Sequence, residues 1–366
     1  MRKWKNAFLG LSLFITFAST SVDACTGLTI TANDGSAVFG RTIEWGSFDL
    51  NHKLRIVPRR HKERSETPSG KNGKQWEGKY GYVGIDTKVG DSLLDGLNEE
   101  GLHVGAFYHL GHAEYNDYNP RKNKKTIDSM KVVEYLLANY KSVEEVKEAI
   151  NNLDVVGVYN EDLGHEAPLH YIITEESGKS IVIEYTNKEA VVYDNPLGVI
   201  TNSPNFDWHM TNLRNYLGLS SVNRSAITLD GVDITPTGSG SGMLGLPGDF
   251  TPASRFVRAV VFSQSARETV NGEDALDETF RILDNFNVPI NSAEGVTPAS
   301  EGDSSLKSAT QATSASDVKN RVFYYHTQND RRIKKIDLKT IDFDKLKYSS
   351  RKLDDGVQDM LTLEIN

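Results

Sequence analysis

One cysteine stands among the 366 residues, so the chain can build no intrachain disulfide and no multi-cysteine zinc or iron–sulfur site. Positive charge is in deficit: 41 lysines and arginines face 50 aspartates and glutamates. The resulting net charge of -9 excludes a nucleic-acid binder with a large basic footprint. Apart from one short apolar run near the start there is no hydrophobic stretch of bilayer length, which excludes a polytopic membrane protein. No serine sits in a G-x-S-x-G elbow. Gly238, Gly240 and Gly242 alternate with serines but lack the lysine of a phosphate loop and read as a flexible loop. The remaining balance, 38% hydrophobic and 25% charged, is that of a soluble globular chain, enough for one large domain or two ordinary ones.

The first residues read as a targeting segment. Arg2, Lys3 and Lys5 precede an apolar run from Ala7 to about Ala18, and Val22-Asp23-Ala24 offers small or modest residues to a signal peptidase. Residues 1–24 are therefore expected to be removed. The mature chain is expected in a periplasm or the medium, without stable membrane insertion. Cys25 becomes its first residue. A lone cysteine in an oxidising compartment admits three accounts. It can be a lipoprotein anchor, though Asp23 fits that signal poorly and no polar tether follows. It can be an inert packed thiol. It can be an N-terminal nucleophile, because a thiol and a free α-amine on one residue supply nucleophile and base together.

Strand-like runs lead the chain. Cys25–Thr31 and Ala37–Thr42 flank Asn33-Asp34-Gly35, a hairpin signal. Leu54–Val57, Tyr82–Ile85, Leu102–Tyr108, His170–Thr174, Ile181–Tyr185 and Ala190–Tyr193 alternate or are rich in Val, Ile and Tyr. Helical spacing appears at Val132, Val133, Leu136, Leu137 and Tyr140. It recurs at Val143, Val146, Ile150 and Leu153 behind a Ser142/Glu145 capping box. Thr251-Pro252 opens a helix through Phe262, and Ala275–Phe286 makes another. Strands and helices come in blocks, which predicts an α+β fold with mainly antiparallel sheets. The Ser-, Ala- and Thr-rich stretch Thr297–Asn320 reads as a surface loop, followed by a hairpin of Val322–Thr327 and Ile333–Leu338. Residues 25–366 read as a single domain.

Metal and charge motifs are weak. His165-Glu166 with His170 has the wrong spacing for a zinc helix, and Pro168 breaks any helix there. His109 and His112 read as surface histidines, and Arg121–Lys125 as a solvated basic loop. No metal or organic cofactor is expected.

Several blocks together carry a resemblance. They are Cys25 with Arg41 and Glu44, DGLNEEGL from Asp95, APLHYIITEESGKSIVIEY from Ala167, YDNPLGVITNSPNFDWHMTNLRNY from Tyr193, and GLPGDFTPASRFVR from Gly245. In this order the chain resembles the choloylglycine hydrolase family, the N-terminal-nucleophile penicillin V acylases and conjugated bile salt hydrolases, from Cys25 to about Leu338. The resemblance implies a four-layer αββα sandwich and hydrolysis of a linear amide. It also implies that Cys25 is the nucleophile, Arg41 sits beside the thiol, Asn202 is an oxyanion donor and Arg255 is a second active-site arginine. Glu44 falls where the family usually has aspartate. A homotetramer is a further implication.

Without the family, Arg41 and Arg255 can be ordinary ion-pair partners, Asn202 a turn residue and Glu44 a strand end. A two-residue turn at Asp34-Gly35 predicts Cys25 opposite Glu44. Arg41, three residues from Glu44, then needs a bulge or a twisted strand end to reach the site. Tyr108, where bile salt hydrolases tend to have asparagine, favours a penicillin V acylase-like substrate. Conjugated bile salt hydrolysis is the alternative, and long-chain N-acyl homoserine lactones are a further substrate class. Trp45, Phe48 and Tyr108 are the expected substrate-binding residues, with Trp76 a further apolar candidate. A lipid-anchored, non-catalytic binding protein of the same fold, and an acyltransferase using the same site, are the competing readings.

Overall fold

The computed structural model describes residues 25–46, 49–290, 292 and 309–359. The expected leader (1–24), Phe48 and residues 297–308 of the expected loop lie outside the described residues.

Two antiparallel sheets dominate. In chain order their strands are β1 (Gly27–Thr31), β2 (Ala37–Trp45), β3 (Lys53–Val57), β4 (Tyr82–Thr87), β5 (Ser92–Asn98), β6 (His103–Tyr108), β7 (Leu169–Thr174), β8 (Ser180–Thr186), β9 (Glu189–Asp194), β10 (Ala309–Asp317), β11 (Val322–Thr327), β12 (Lys334–Asp337) and β13 (Ser349–Lys352). The smaller sheet runs β1-β2-β10-β11-β12 and the larger β9-β8-β7-β6-β5-β4-β3-β13. Among the described residues four α-helices follow the expected periodicities, α1 (Val132–Asn139), α2 (Val143–Ile150), α4 (Pro252–Gln264) and α5 (Gly272–Leu283), and a further one, α3 (Phe206–Asn212), was not expected.

The apolar faces dictate the layering. Val132, Val133, Leu136 and Leu137 of α1 and Val143, Val146 and Ile150 of α2 share one core with Val83, Leu97, Val104 and Tyr171 of the larger sheet. Ile43, Trp45, Phe323 and Tyr325 of the smaller sheet belong to the same core. A second core joins Leu28, Ile30 and Val38 to Phe256, Ala275 and Leu283 of α4 and α5. The order is therefore helices, sheet, sheet, helices: a four-layer αββα sandwich. Each large side chain so buried contributes about 1.5–3 kcal/mol. Gly40 lets α5 lie close on β2, because a Cβ there would meet Thr279 Cγ2 at 2.4 Å.

Local chemistry sets the boundaries. Ser142 Oγ accepts the Glu145 N–H at 3.3 Å, while the Glu145 carboxylate reaches the Lys141 N–H at 2.9 Å. Thr251 caps α4 with Pro252 in its first turn.

Two expectations are corrected. The first is the β1–β2 register. Ala32 N–H donates to Ser36 O, Gly35 N–H donates to Ala32 O, and Gly35 takes φ +80°. The turn thus holds three residues, with glycine in the left-handed position such a turn requires. Pairing runs from Thr31↔Ala37 to Gly27↔Arg41, one step from the two-residue expectation. Thr42 N–H continues it by donating to Thr26 O at 2.9 Å, which sets Cys25 beside Ile43 rather than Glu44. The second is the loop expected through Asn320. Its later half is β10, a fully buried strand paired with β2 and β11. Small side chains let it fit between its neighbours, and its hydroxyls find buried acceptors: Thr310 donates to Glu44 and Ser314 to Asp95, each at 2.7 Å.

Candidate active site

Cys25 enters β1 with 7% of its surface exposed and lines a slot with Arg41, Ile43, Trp45, Leu94, Tyr108 and Leu169. Arg41 stands opposite Gly27, so ordinary strand alternation puts it on the Cys25 face, towards the larger sheet. The bulge expected in its own strand is absent there. The irregularity falls in β10, between Thr310 and Ala312, opposite Glu44 and Ile43. Arg41 is 1% exposed and donates to Leu94 O at 2.9 Å and Ala106 O at 2.7 Å. Its guanidinium lies 3.8 Å from the centre of the Phe107 ring, and Asp95 is 4.0 Å away. Carbonyls of two larger-sheet strands thus hold the cation in the wall of the slot that Cys25 also lines.

Arg255 comes from the first turn of α4 and has no exposed surface. It donates to Cys25 O, to Thr26 Oγ1 at 3.0 Å, to Phe250 O at 2.8 Å and to Asn202 Oδ1 at 2.7 Å. The planar fork therefore ties the head of β1 to Asn202. Asn202 in turn donates through Nδ2 to Tyr108 O at 2.9 Å. These links span sequence separations of 53 to 230 residues, so only the tertiary fold assembles them.

Glu44 is 1% exposed and also lines the slot. Its Oε1 accepts from Thr310 at 2.7 Å; its buried Oε2 has no hydrogen-bond partner among the described residues. Burial pushes its carboxyl up to about 7, opposed by the Thr310 hydroxyl and by Arg255 and Arg41. Thr310 went unrecognised in sequence because it lay in the stretch read as a loop.

The expected substrate-binding residues divide. Tyr108 and Trp45 line the slot, their rings edge to face at 5.4 Å, and the Tyr108 hydroxyl meets His165 Nε2 at 3.0 Å. Phe48 lies outside the described residues. Trp76 packs against Tyr135 in the core, 5.4 Å between ring centres, and does not line the slot. His165 is exposed, in a two-residue strand paired with Tyr159–Asn160.

The surface reading of His109 is wrong. It is fully buried because it follows β6 into the interior, and its ring stacks on His170 at 4.2 Å. Towards the other end of β6, Asp95 joins His103 Nε2 at 2.8 Å and Ser314, a buried polar link between the sheets.

The arrangement gathers a buried cysteine, two arginines, one carboxyl and an amide around the head of β1. A model of linear amide C–N hydrolases, choloylglycine hydrolase family, matches residues 25–350. The chain belongs to the choloylglycine hydrolase family. Among similar family members is the bile salt hydrolase/transferase of Clostridium perfringens, 36% identical over 320 residues covering 86% of this chain and 92% of that protein. The crystal structure of a cysteine-to-alanine variant of conjugated bile acid hydrolase from Clostridium perfringens superposes with a TM-score of 0.79 at 30% identity, over 93% of this chain and 100% of that one. Penicillin V acylase from Agrobacterium tumefaciens shares the fold, with a TM-score of 0.71 at 24% identity over 91% and 92% of the two chains. Family membership makes linear amide hydrolysis the coarse activity of this chain.

Proposed function

We propose that this chain is exported, loses residues 1–24, and then acts as a cysteine amidase on conjugated bile salts, in which a small polar amine is joined to a large apolar acid. The observation that carries the reading is the convergence of Cys25, Arg41, Glu44, Asn202 and Arg255 at the head of β1, beside an apolar slot. Removal of the leader frees the Cys25 α-amine. Cys25 Sγ attacks the amide carbonyl while that amine takes the thiol proton. Arg41 and Arg255 favour the thiolate. Glu44 holds the α-ammonium. Asn202 has two amide N–H bonds; Tyr108 O takes one, and the second is the oxyanion donor, worth about 3–4 kcal/mol of barrier. A second donor is the Tyr108 backbone N–H. His109 N–H donates to Pro168 O across β7, so alternation turns the Tyr108 N–H away from β7. The amine product leaves with the proton, and water then hydrolyses the thioester.

Bile salts stand first because the similar proteins of Clostridium perfringens are named for them. Penicillin V is the second reading, favoured by the Tyr108 and Trp45 rings, which offer an aryl acyl group an edge-to-face surface. Long-chain N-acyl homoserine lactones fit the same apolar slot. A turnover panel of glycocholate, penicillin V and a long-chain N-acyl homoserine lactone tests the assignment. Glycocholate is expected to give the highest kcat/KM. A higher value for penicillin V transfers the assignment to the second reading, and no turnover of any of the three overturns the enzyme reading. Added amines that compete with water would reveal acyl transfer.

The same proposal covers location and assembly. A mature mass beginning at Cys25 with a free amine supports export and catalysis; a lipid adduct on Cys25 supports the anchored binding protein. An antiparallel hairpin, Ile227–Leu229 with Val232–Ile234, leaves Ile227, Leu229, Val232 and Ile234 about half exposed or more, which suits burial between copies in a homotetramer.

A further inference from the structure

Next to Asn202 lies a cluster with no part in the mechanism above. His109, His170, His209 and Glu184 are all at least 98% buried. Three of them hold the segment that carries Asn202. His170 Nε2 lies 2.9 Å from Thr201 O, and His209 Nε2 lies 2.9 Å from Asn202 O. Glu184 Oε1 accepts the Phe206 N–H at 2.9 Å.

Donor counting then becomes strict. A carbonyl oxygen only accepts, so His170 must carry a hydrogen on Nε2. A neutral imidazole of that tautomer has a bare lone pair on Nδ1. That lone pair faces Glu184 Oε1 at 3.1 Å. A carboxylate also only accepts, so the two atoms repel unless a positive centre lies between them.

A metal ion does not fit that position. Ligand atoms of His109, His170 and Glu184 lie within 4.8 Å of one another. However, the His109 and His170 rings are stacked, their planes only 15° apart. Their lone pairs lie in two separate, near-parallel ring planes, whereas a shared metal has to lie in the plane of both rings. A proton fits, since it needs only the one Nδ1–Oε1 line.

We propose that Glu184 and His170 share one proton, and that this proton positions Asn202 by letting His170 bond the Thr201 carbonyl and Glu184 at once. The inference rests on the proposed oxyanion role of Asn202. Without the shared proton, a neutral imidazole has one N–H for two acceptors, and one contact must break. Burial raises the Glu184 carboxyl to about 7 and lowers His170 to about 3, so the pair holds the proton below about pH 7 and loses it above. Other groups facing the pair are His109 and His112 after β6, Asp207 and His209 in α3, Tyr193 of β9 and Arg41 of β2. His109 and His112 draw Glu184 towards ionisation, and Asp207 opposes it.

Glu184→Gln separates this from a packing role. An amide oxygen at Oε1 keeps the Phe206 N–H but has no proton to share, so the variant is locked in the high-pH arrangement. Nitrogen-15 histidine NMR of the full mature chain is the first readout. Wild type should show His170 protonated on Nε2 and a step in its Nδ1 signal near pH 7, with the Asn202 side-chain amide moving in the same step. Glu184→Gln should show neither step. With glycocholate or penicillin V as probe, wild-type kcat should fall about tenfold across an alkaline limb while KM stays nearly constant, the cost of one misplaced hydrogen bond. Glu184→Gln should be low and flat throughout. A His170 protonated on Nδ1 alone, a pH-invariant wild-type His170, or an alkaline limb that survives in Glu184→Gln overturns the proposal. If neither probe is turned over, the proposed function fails, while the His170 and Asn202 signals still decide this one. If the variant does not fold, the wild-type tautomer and its titration decide it.

Discussion

Replacing Glu44 by glutamine makes the sharpest test of the site. The carboxyl is fully buried, with Thr310 on one oxygen and no hydrogen-bond partner for the other among the described residues. Burial raises it from the ordinary range near 4.5 to about 7. At 1.36 kcal/mol per pKa unit, ionising it in the folded chain costs about 3 kcal/mol. The sign follows from proton binding. Between these values the folded state binds the proton more tightly than the unfolded state. A chain that retains residues 1–24 therefore loses stability as pH rises from about 4.5 to about 7, and recovers none of it above. In that precursor Glu44→Gln should abolish the loss and raise Tm at pH 8, with wild type and variant converging near pH 4.5. Under the proposed mechanism the freed Cys25 α-ammonium offsets the charge in the mature chain. There the variant removes a needed counter-ion, and kcat should fall more than about tenfold, or over ~1.4 kcal/mol. Glu44→Asp keeps the charge but withdraws it by about 1.5 Å from Thr310, and should be impaired less. Thermal melts of both forms across pH, with kcat on glycocholate or penicillin V, check each arm. Wild-type kcat in mature Glu44→Gln with an unchanged Tm would refute the reasoning and return Glu44 to a strand-end role.

Cys25→Ser and Cys25→Ala should both fold and lose hydrolysis, since so little of a hydroxyl is ionised near neutral pH; turnover by the alanine variant would remove the nucleophile assignment. Protein that begins at Met1 should be inactive until trimmed to Cys25, because an acylated amine cannot accept the thiol proton, and equal activity of the two forms excludes the amine as base. Ala312→Leu overfills the space at a position 1% exposed in β10 and should lower stability by about 1–3 kcal/mol in denaturant melts, where a surface loop would tolerate it. Ile227→Asp with Val232→Asp should dissociate the proposed tetramer in light scattering without lowering monomer Tm, and an unchanged mass would exclude the hairpin from the interface.

Periodicity and capping were enough to read much of this fold. Tyr82–Ile85, His170–Thr174 and Ile181–Tyr185 are strands because alternating branched and aromatic residues suit a pleated, buried surface. Ser142 and Thr251 mark helix starts because their side-chain oxygens meet otherwise orphaned N–H groups two or three residues on. These signals act over a few residues, so the sequence alone carries them. The lone Cys25 after a leader-like segment, and the ordered blocks through Arg255, likewise mark the proposed site residues without any coordinates.

What the chain could not disclose depends on partners far away along it. β10 reads as a polar loop because Thr310, Thr313, Ser314 and Ser316 look solvated; they are buried because Glu44 and Asp95 wait at distances of 266 and 219 residues for two of them. His109 looks like a surface residue until His170 and Glu184 close over it. The register of β1 on β2 turned on a single turn residue, and with it which of Arg41 and Glu44 shares a face with Cys25. A one-residue slip exchanges the two faces of a strand, so turn geometry and packing decide the register, and sequence alternation alone is blind to it.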